Sequence, residues 1–245
     1  SDYVTRLSFV LRQGVHVGDV ALVFPTTSVH ANWLGASRFN LEADLTACTT
    51  YNMAESLYRG GVDFDFMDEQ TIGTAQVQNG KLCVEGLAFP AVVLPPITTV
   101  RLETMRKIKQ LYDDGGLVVA FQRLPYASAE SGRGDPELRS ILQHLFGIES
   151  SDDHIHEAWT PDSKTGDTDE NHFARSLRYQ RNARGGTAFF VPGEQNRGMN
   201  AATVELYMVI NSSLTPDVSN SDGDIYHLHK KVGDTDIYFL FNRRP

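Results

Sequence analysis

Cysteine is scarce in this sequence: among 245 residues only Cys48 and Cys83 carry a thiol. Two cysteines in different predicted elements make no disulfide framework, and buried free thiols are the expected reading. Basic charge is also short, with 22 Lys and Arg against 31 Asp and Glu and a net charge of -9. Such a chain repels phosphate backbones, which argues against a nucleic-acid partner. Its field is indifferent to uncharged ligands such as sugars. No stretch reaches the ~18 apolar residues that span a bilayer, so no membrane partner is expected. The longest apolar stretch, Leu87 to Ile97, is broken by three prolines. Neither a signal peptide nor an initiator Met opens the chain, and Ser1-Asp2-Tyr3 already reads as the start of a helix. A segment excised or processed from something longer is therefore expected. G-x-S-x-G, P-loop and G-x-G-x-x-G motifs are absent, as are internal repeats and low-complexity tracts.

What remains is ordinary globular composition, 41% hydrophobic and 22% charged. The length suits one α/β domain over residues 1–245 with insertions. Short apolar runs alternate with amphipathic segments. Asp19 to Phe24, Val62 to Phe66, Ala91 to Leu94 and Leu117 to Phe121 read as neighbouring core strands, and Gly186 to Val191 as a fifth. Helices are expected over 3–13, 40–59, 99–113, 135–146 and about 201–213. The first places Val4, Leu7, Val10 and Leu11 on one face. The second is expected to bury Leu41, Leu45, Cys48, Met53 and Leu57, and the third Leu102, Met105, Ile108 and Leu111. Asn79-Gly80 marks a hairpin within 75–88. Residues 150–172 read as a polar insertion, and residues 222–245 hold a terminal β-hairpin, turning near Gly233-Asp234, that leads out of the domain. This order predicts a three-layer, flavodoxin-like α/β fold with a mainly parallel sheet. The loops after the strands then share one rim, where ligands sit in open α/β sheets.

Three groups of residues invite chemistry. Asp63, Asp65, Asp68 and Glu69 form an acidic cluster, with Asp63 and Asp65 about 7 Å apart on one side of a strand. That spacing permits a carboxylate pair acting on a glycoside. A solvated strand edge, with Asp68 capping a helix, is the plainer alternative. His154/His156 and His227/His229 are two His-x-His pairs, each compatible with metal ligation or with simple hydrogen bonding. Neither supplies a complete ligand set, and no metal or cofactor is assigned. On the rim, His30, Asn32 and Trp33 offer an apolar face and hydrogen bonds to a sugar, with Arg123, Tyr126 and Glu130 after the fourth strand beside them. A charged loop surface, or a Trp33 plugging the domain's own core or its contact with another domain of the polypeptide, is the competing reading.

Four segments together carry a family resemblance: YVTRLSFVLRQGVHVGDVALVFP, VDFDFMDEQTI, FPAVVLPPITTVRLETMRKIKQLYDDGGLVVAF and DIYHLHKKVGDTDIYFLFNRR. In order and spacing they resemble glycoside hydrolase family 106, the bacterial-type α-L-rhamnosidases, in the region after the catalytic barrel. The resemblance covers residues 3–146 and 222–244. It implies a class I glutamine amidotransferase-like fold, a catalytic barrel and a β-sandwich in the same polypeptide, and a periplasmic or secreted setting. A similar domain follows the barrel in some β-galactosidases. The family's catalytic carboxylates lie on the barrel, so no catalytic residue is carried over. An active amidotransferase needs a Cys on the turn after the fourth strand, and Gln122-Arg123-Leu124-Pro125 provides none. The resemblance therefore implies a non-catalytic scaffold or accessory domain. A carbohydrate- or small-ligand-binding module is the alternative, followed by a hydrolase acting through Asp63 and Asp65.

Overall fold

The computed structural model describes residues 2–36, 38, 40–148, 177–191, 199–215, 217–218 and 225–242. The insertion at 150–172, with His154 and His156, lies outside the described residues, as does the end of the chain from 243.

Helix α1 (Asp2–Leu11) is followed by β1 (Val15–His16) and β2 (Val20–Phe24). Gly14, at φ +62°, makes the turn after α1, and a Cβ there would lie 2.1 Å from the Lys231 carbonyl oxygen. After β2 comes α2 (Thr26–Ala31), inside a segment that the sequence suggested was loop. Next are α3 (Leu41–Arg59) and β3 (Phe64–Asp68), the latter shifted two residues from expectation. Asp68 caps α4 (Glu69–Thr74), accepting the N–H groups of Gln70 and Thr71 at 3.0 Å each. Asn79 and Gly80, at φ 53° and 69°, then join β4 (Gln76–Gln78) to β5 (Lys81–Val84). Positive φ at both residues fits the tight turn that Asn-Gly favours.

The chain continues through β6 (Leu87–Phe89), β7 (Ala91–Leu94), β8 (Thr99–Val100) and α5 (Leu102–Asp113) to β9 (Leu117–Phe121). Two short strands follow, β10 (Ala127–Ser128) and β11 (Gly132–Arg133). Helix α6 (Pro136–Phe146) opens on Pro136, where a missing N–H costs nothing, and stops at left-handed Gly147. The remaining elements are β12 (Arg178–Arg181), β13 (Thr187–Val191), α7 (Met199–Ser213), β14 (Ile225–Val232) and β15 (Thr235–Asn242).

The central sheet has the order β12-β13-β9-β7-β2-β3. Every pairing in it is parallel except β12 with β13. The four predicted core strands are therefore neighbours, as expected. From β2 the chain steps to β3 on one side and then returns to β7 on the other, so the winding reverses between β2 and β7. Ala21 and Val23 point to a layer with Ile72, Met105, Ile108, Leu138 and Leu142. Val20 and Leu22 point to the opposite layer, with Met53, Leu57, Leu206 and Ile210. Burial on both faces explains why β7 and β9 read as unbroken apolar runs. Among the described residues there are also three small sheets, including β1-β14-β15.

Two expectations about buried faces are corrected. Met53 and Leu57 are buried as predicted, but Leu41 and Leu45 are about half exposed and Cys48 is exposed. The face of α3 turned to the sheet holds Ala43, Thr46, Thr50, Met53, Ala54 and Leu57 instead. Small residues let the helix come close, and Thr46 Oγ1 donates to the Pro96 carbonyl at 3.1 Å while Thr50 Oγ1 donates to Thr46 O. Helix α1 forms as expected but has no buried residue. The thiols of Cys48 and Cys83 are free, and neither is fully buried. No helix among the described residues is long and apolar enough to cross a membrane.

Candidate functional site

The carboxyl ends of β2, β3, β7 and β9 form the rim that the sequence analysis singled out, and three of its loops are tied together by hydrogen bonds. Glu69, only 2% exposed, accepts the Thr27 N–H on Oε1 at 3.1 Å and the Arg101 N–H on Oε2 at 2.9 Å. Its backbone oxygen accepts Thr104 Oγ1 at 2.7 Å. Burial pushes the Glu69 carboxyl up, and the two N–H groups pull against that shift. Beside it, Ser28 Oγ accepts the Thr98 N–H at 2.9 Å and lies 3.1 Å from Thr98 Oγ1. Asn32 Nδ2 donates to Thr98 Oγ1 at 2.7 Å and to Ser28 O at 2.8 Å. Asp135, also buried, accepts Ser128 Oγ at 2.6 Å and caps α6 through the N–H groups of Glu137 and Leu138. The Ser128 hydroxyl is the leading cause of its lowered pKa.

The predicted rim residues fall into two groups. Asn32, Arg123, Tyr126 and Glu130 have partners within the chain. Arg123 pairs with Glu42 in the first turn of α3. Arg133 sits over the Tyr126 ring, 4.7 Å from its centroid. Glu130 accepts the Leu102 N–H at 3.0 Å, at the start of α5. His30 and Trp33 instead face solvent, Trp33 being 53% exposed. A Trp33 that plugs the domain's own core is thereby overturned. Sequence reasoning did not give Glu69 its role, because its partners lie 42 and 32 residues away.

After β9 the chain bends sharply. Gln122 has φ 59°, and the Arg123 N–H donates back to Phe121 O at 2.7 Å. A three-residue turn with positive φ is rare and strained. The Gln122 N–H donates to Val191 O at 2.7 Å, which ties the turn to β13.

The acids read as a possible carboxylate pair lie elsewhere, at the amino end of the edge strand β3. His16 stands between them, with Nδ1 2.9 Å from Asp65 Oδ2 and Nε2 2.8 Å from Asp63 Oδ1. The second contact is an ion pair off the line of a good hydrogen bond. Of the second His-x-His pair, His229 lies 2.6 Å from Asp217 and 2.8 Å from Asp236, and His227 is buried. Among the described residues no group of three His, Cys, Asp or Glu is placed to hold a metal ion.

No family model matches the chain. Over 148 residues it is 29% identical to a candidate beta-glucuronidase from Formosa agariphila, covering 60% of this chain and 11% of that protein. Among solved structures it is similar to a rhamnosidase from Novosphingobium sp. PP1Y. That match has a TM-score of 0.53 and 17% identity, over 98% of this chain and 18% of the other. A beta-galactosidase from Bacillus circulans sp. alkalophilus gives a TM-score of 0.62 at 12% identity, over 95% of this chain and 36% of that one. A GH42 beta-galactosidase from G. stearothermophilus gives 0.60 at 12%, over 92% and 34%. The chain thus spans about a tenth of the curated relative and between 18% and 36% of these solved chains. These likenesses support a glycoside-hydrolase-related domain, and the fold itself is mixed α/β.

Proposed function

We propose that this chain is a non-catalytic scaffold domain of a larger glycoside hydrolase resembling the family 106 α-L-rhamnosidases. In this reading it is a single flavodoxin-like, class I glutamine amidotransferase-like domain, working beside a catalytic barrel and a β-sandwich of the same polypeptide. One observation carries the proposal: the buried rim acids Glu69 and Asp135 accept backbone N–H groups and hydroxyls, so they serve to fix loops. A glycosidase needs two carboxyls facing an open substrate position. Asp63 and Asp65 instead face each other across an imidazole. The parallel order β3-β2-β7-β9-β13 supports the flavodoxin-like reading. The strained turn at Gln122 supports the amidotransferase-like one, with an amide standing where a nucleophile would be needed.

The test is turnover of aryl α-L-rhamnosides by the purified chain. We expect release no faster than in buffer. Turnover that disappears in Asp65→Asn would overturn the proposal and favour a hydrolase acting through the Asp63/Asp65 region.

A second reading, carbohydrate binding, is favoured by Trp33, a half-exposed indole on the rim with exposed His30 nearby in sequence. A flat apolar ring suits the C–H face of a sugar. Quenching of tryptophan fluorescence by L-rhamnose, lost in Trp33→Ala, would support it.

A further inference from the structure

At the amino ends of β2 and β3, opposite the rim, charge gathers where three parts of the chain meet. Strand β1 pairs with β14, His16 lying opposite Lys230, and β14 pairs with β15. His16 stands between Asp63 and Asp65. Asp63 reaches further: its Oδ2 accepts the His229 N–H at 3.0 Å, while the Val17 N–H donates to His229 O at 3.0 Å. One carboxylate therefore joins the sheet, β1 and the terminal hairpin. Lys230 Nζ donates to Leu11 O at 2.6 Å, which draws the end of α1 to the same place.

We propose that this network is a proton-operated latch, which holds β1 and the hairpin β14–β15 on the sheet while His16 is protonated and loosens when His16 gives up its proton to solvent. The protonated ring has two N–H groups and a positive charge for two carboxylates. The neutral ring has one N–H and leaves Asp63 and Asp65 without a cation between them. The remaining groups around His16 do not replace that charge. Asp19, at the start of β2, accepts the Asp63 N–H at 3.4 Å and is a further acid. Asp217, after α7, and Asp236, on β15, are already bound to His229. Lys231 lies 4.0 Å from Asp236. His227 is 6% exposed, with no partner on Nε2 among the described residues, and burial holds its pKa down. Partial desolvation, and then the nearby Asp217 and Asp236, push the Tyr238 hydroxyl up from its ordinary value.

The carboxylates of Asp63 and then Asp65, held against the two ring nitrogens, raise His16 to about 10, against its ordinary value of 6.5. A histidine raised in the folded state stabilises it fully below its unfolded pKa, and that contribution is lost as pH rises through the folded value. The window therefore runs from pH 6.5 to about 10.

Hydrogen exchange of the full chain between pH 7 and pH 10 tests the latch, with protection factors corrected for the intrinsic rate. Residues 225–242 should lose protection by up to about tenfold per pH unit, the limit for one linked proton. Residues 117–121 should keep theirs. In His16→Gln the hairpin should be weakly protected already at pH 7 and flat with pH. If His16→Gln does not fold, Asp65→Asn should shift the loss of protection to lower pH. Parallel behaviour of hairpin and sheet in the wild type, or an unmoved midpoint in Asp65→Asn, overturns the proposal.

Discussion

Glu69 and Asp63 are carboxylates shielded from water at opposite ends of one sheet, yet they solve the same problem differently. Glu69 holds the N–H groups of Thr27 and Arg101, which are permanent dipoles fixed by the backbone. Asp63 holds the ring of His16 and the N–H of His229, so half of its support depends on a bound proton. A buried polar group is stable only when it is satisfied, and the partner's chemistry decides over what pH range that holds. The rim partners cannot titrate. The joint at the other end can.

The largest effect that would break this comparison is expected at the rim. Glu69→Ala leaves two N–H groups without their acceptor, at about 1–3 kcal/mol each. We expect urea unfolding at pH 7 to show a total loss of about 2–5 kcal/mol, partly recovered in Glu69→Gln, which keeps one acceptor oxygen. A loss below about 1 kcal/mol would mean that Glu69 does not fix the rim loops.

A smaller effect is expected from Asp65→Asn at the other end. The Asp65 side chain is 37% exposed, so solvent screens its pair with His16. A loss of about 0.5–1 kcal/mol at pH 7 should accompany a lower His16 pKa, read from the imidazole proton resonances. An unshifted resonance titration would show that Asp65 does not hold the proton in place.

The smallest effect is expected at Trp33. Half exposed on the rim, Trp33→Ala should change stability by no more than about 0.5 kcal/mol. If the rim contacts sugar or another domain, the same variant in a longer polypeptide should weaken substrate affinity with unchanged melting. Lower melting with intact kinetics would indicate a structural contact instead.

How much was legible in the sequence follows from what each signal contains. Ala91 to Leu94 and Leu117 to Phe121 fell at their predicted bounds because strands covered on both faces leave unbroken apolar runs. The helix expected over 135–146 likewise fell within one residue of its bounds, because Pro136 marks a helix start by local chemistry alone. Helix α3 misled because Leu41, Leu45 and Cys48 form a stripe at helical spacing that turns outward. Its true inner face uses Thr46 and Thr50, which read as polar until the carbonyls of Pro96 and Thr46 are seen to accept their hydroxyls. Helix α2, six residues long, is too short to show a period. The site residues divide the same way. Asp68 was recognisable as a cap two and three residues before its partners. His16, which meets Asp65 across 49 positions, carried no local mark. Alternating acids at Asp63 and Asp65 on a partly exposed strand were the available hint that a cation lay between them.

The central claim is that the buried acids of this chain serve its structure, through backbone dipoles at one end and through a proton at the other. Unfolding free energy measured from pH 7 to pH 9, in the wild type and in His16→Gln, tests it most directly. The wild type should lose stability as pH rises, approaching about 1 kcal/mol per unit, because His16 keeps its proton folded and releases it unfolded. His16→Gln should be less stable at pH 7 and nearly flat across the same range. Equal slopes in the two proteins would contradict the account.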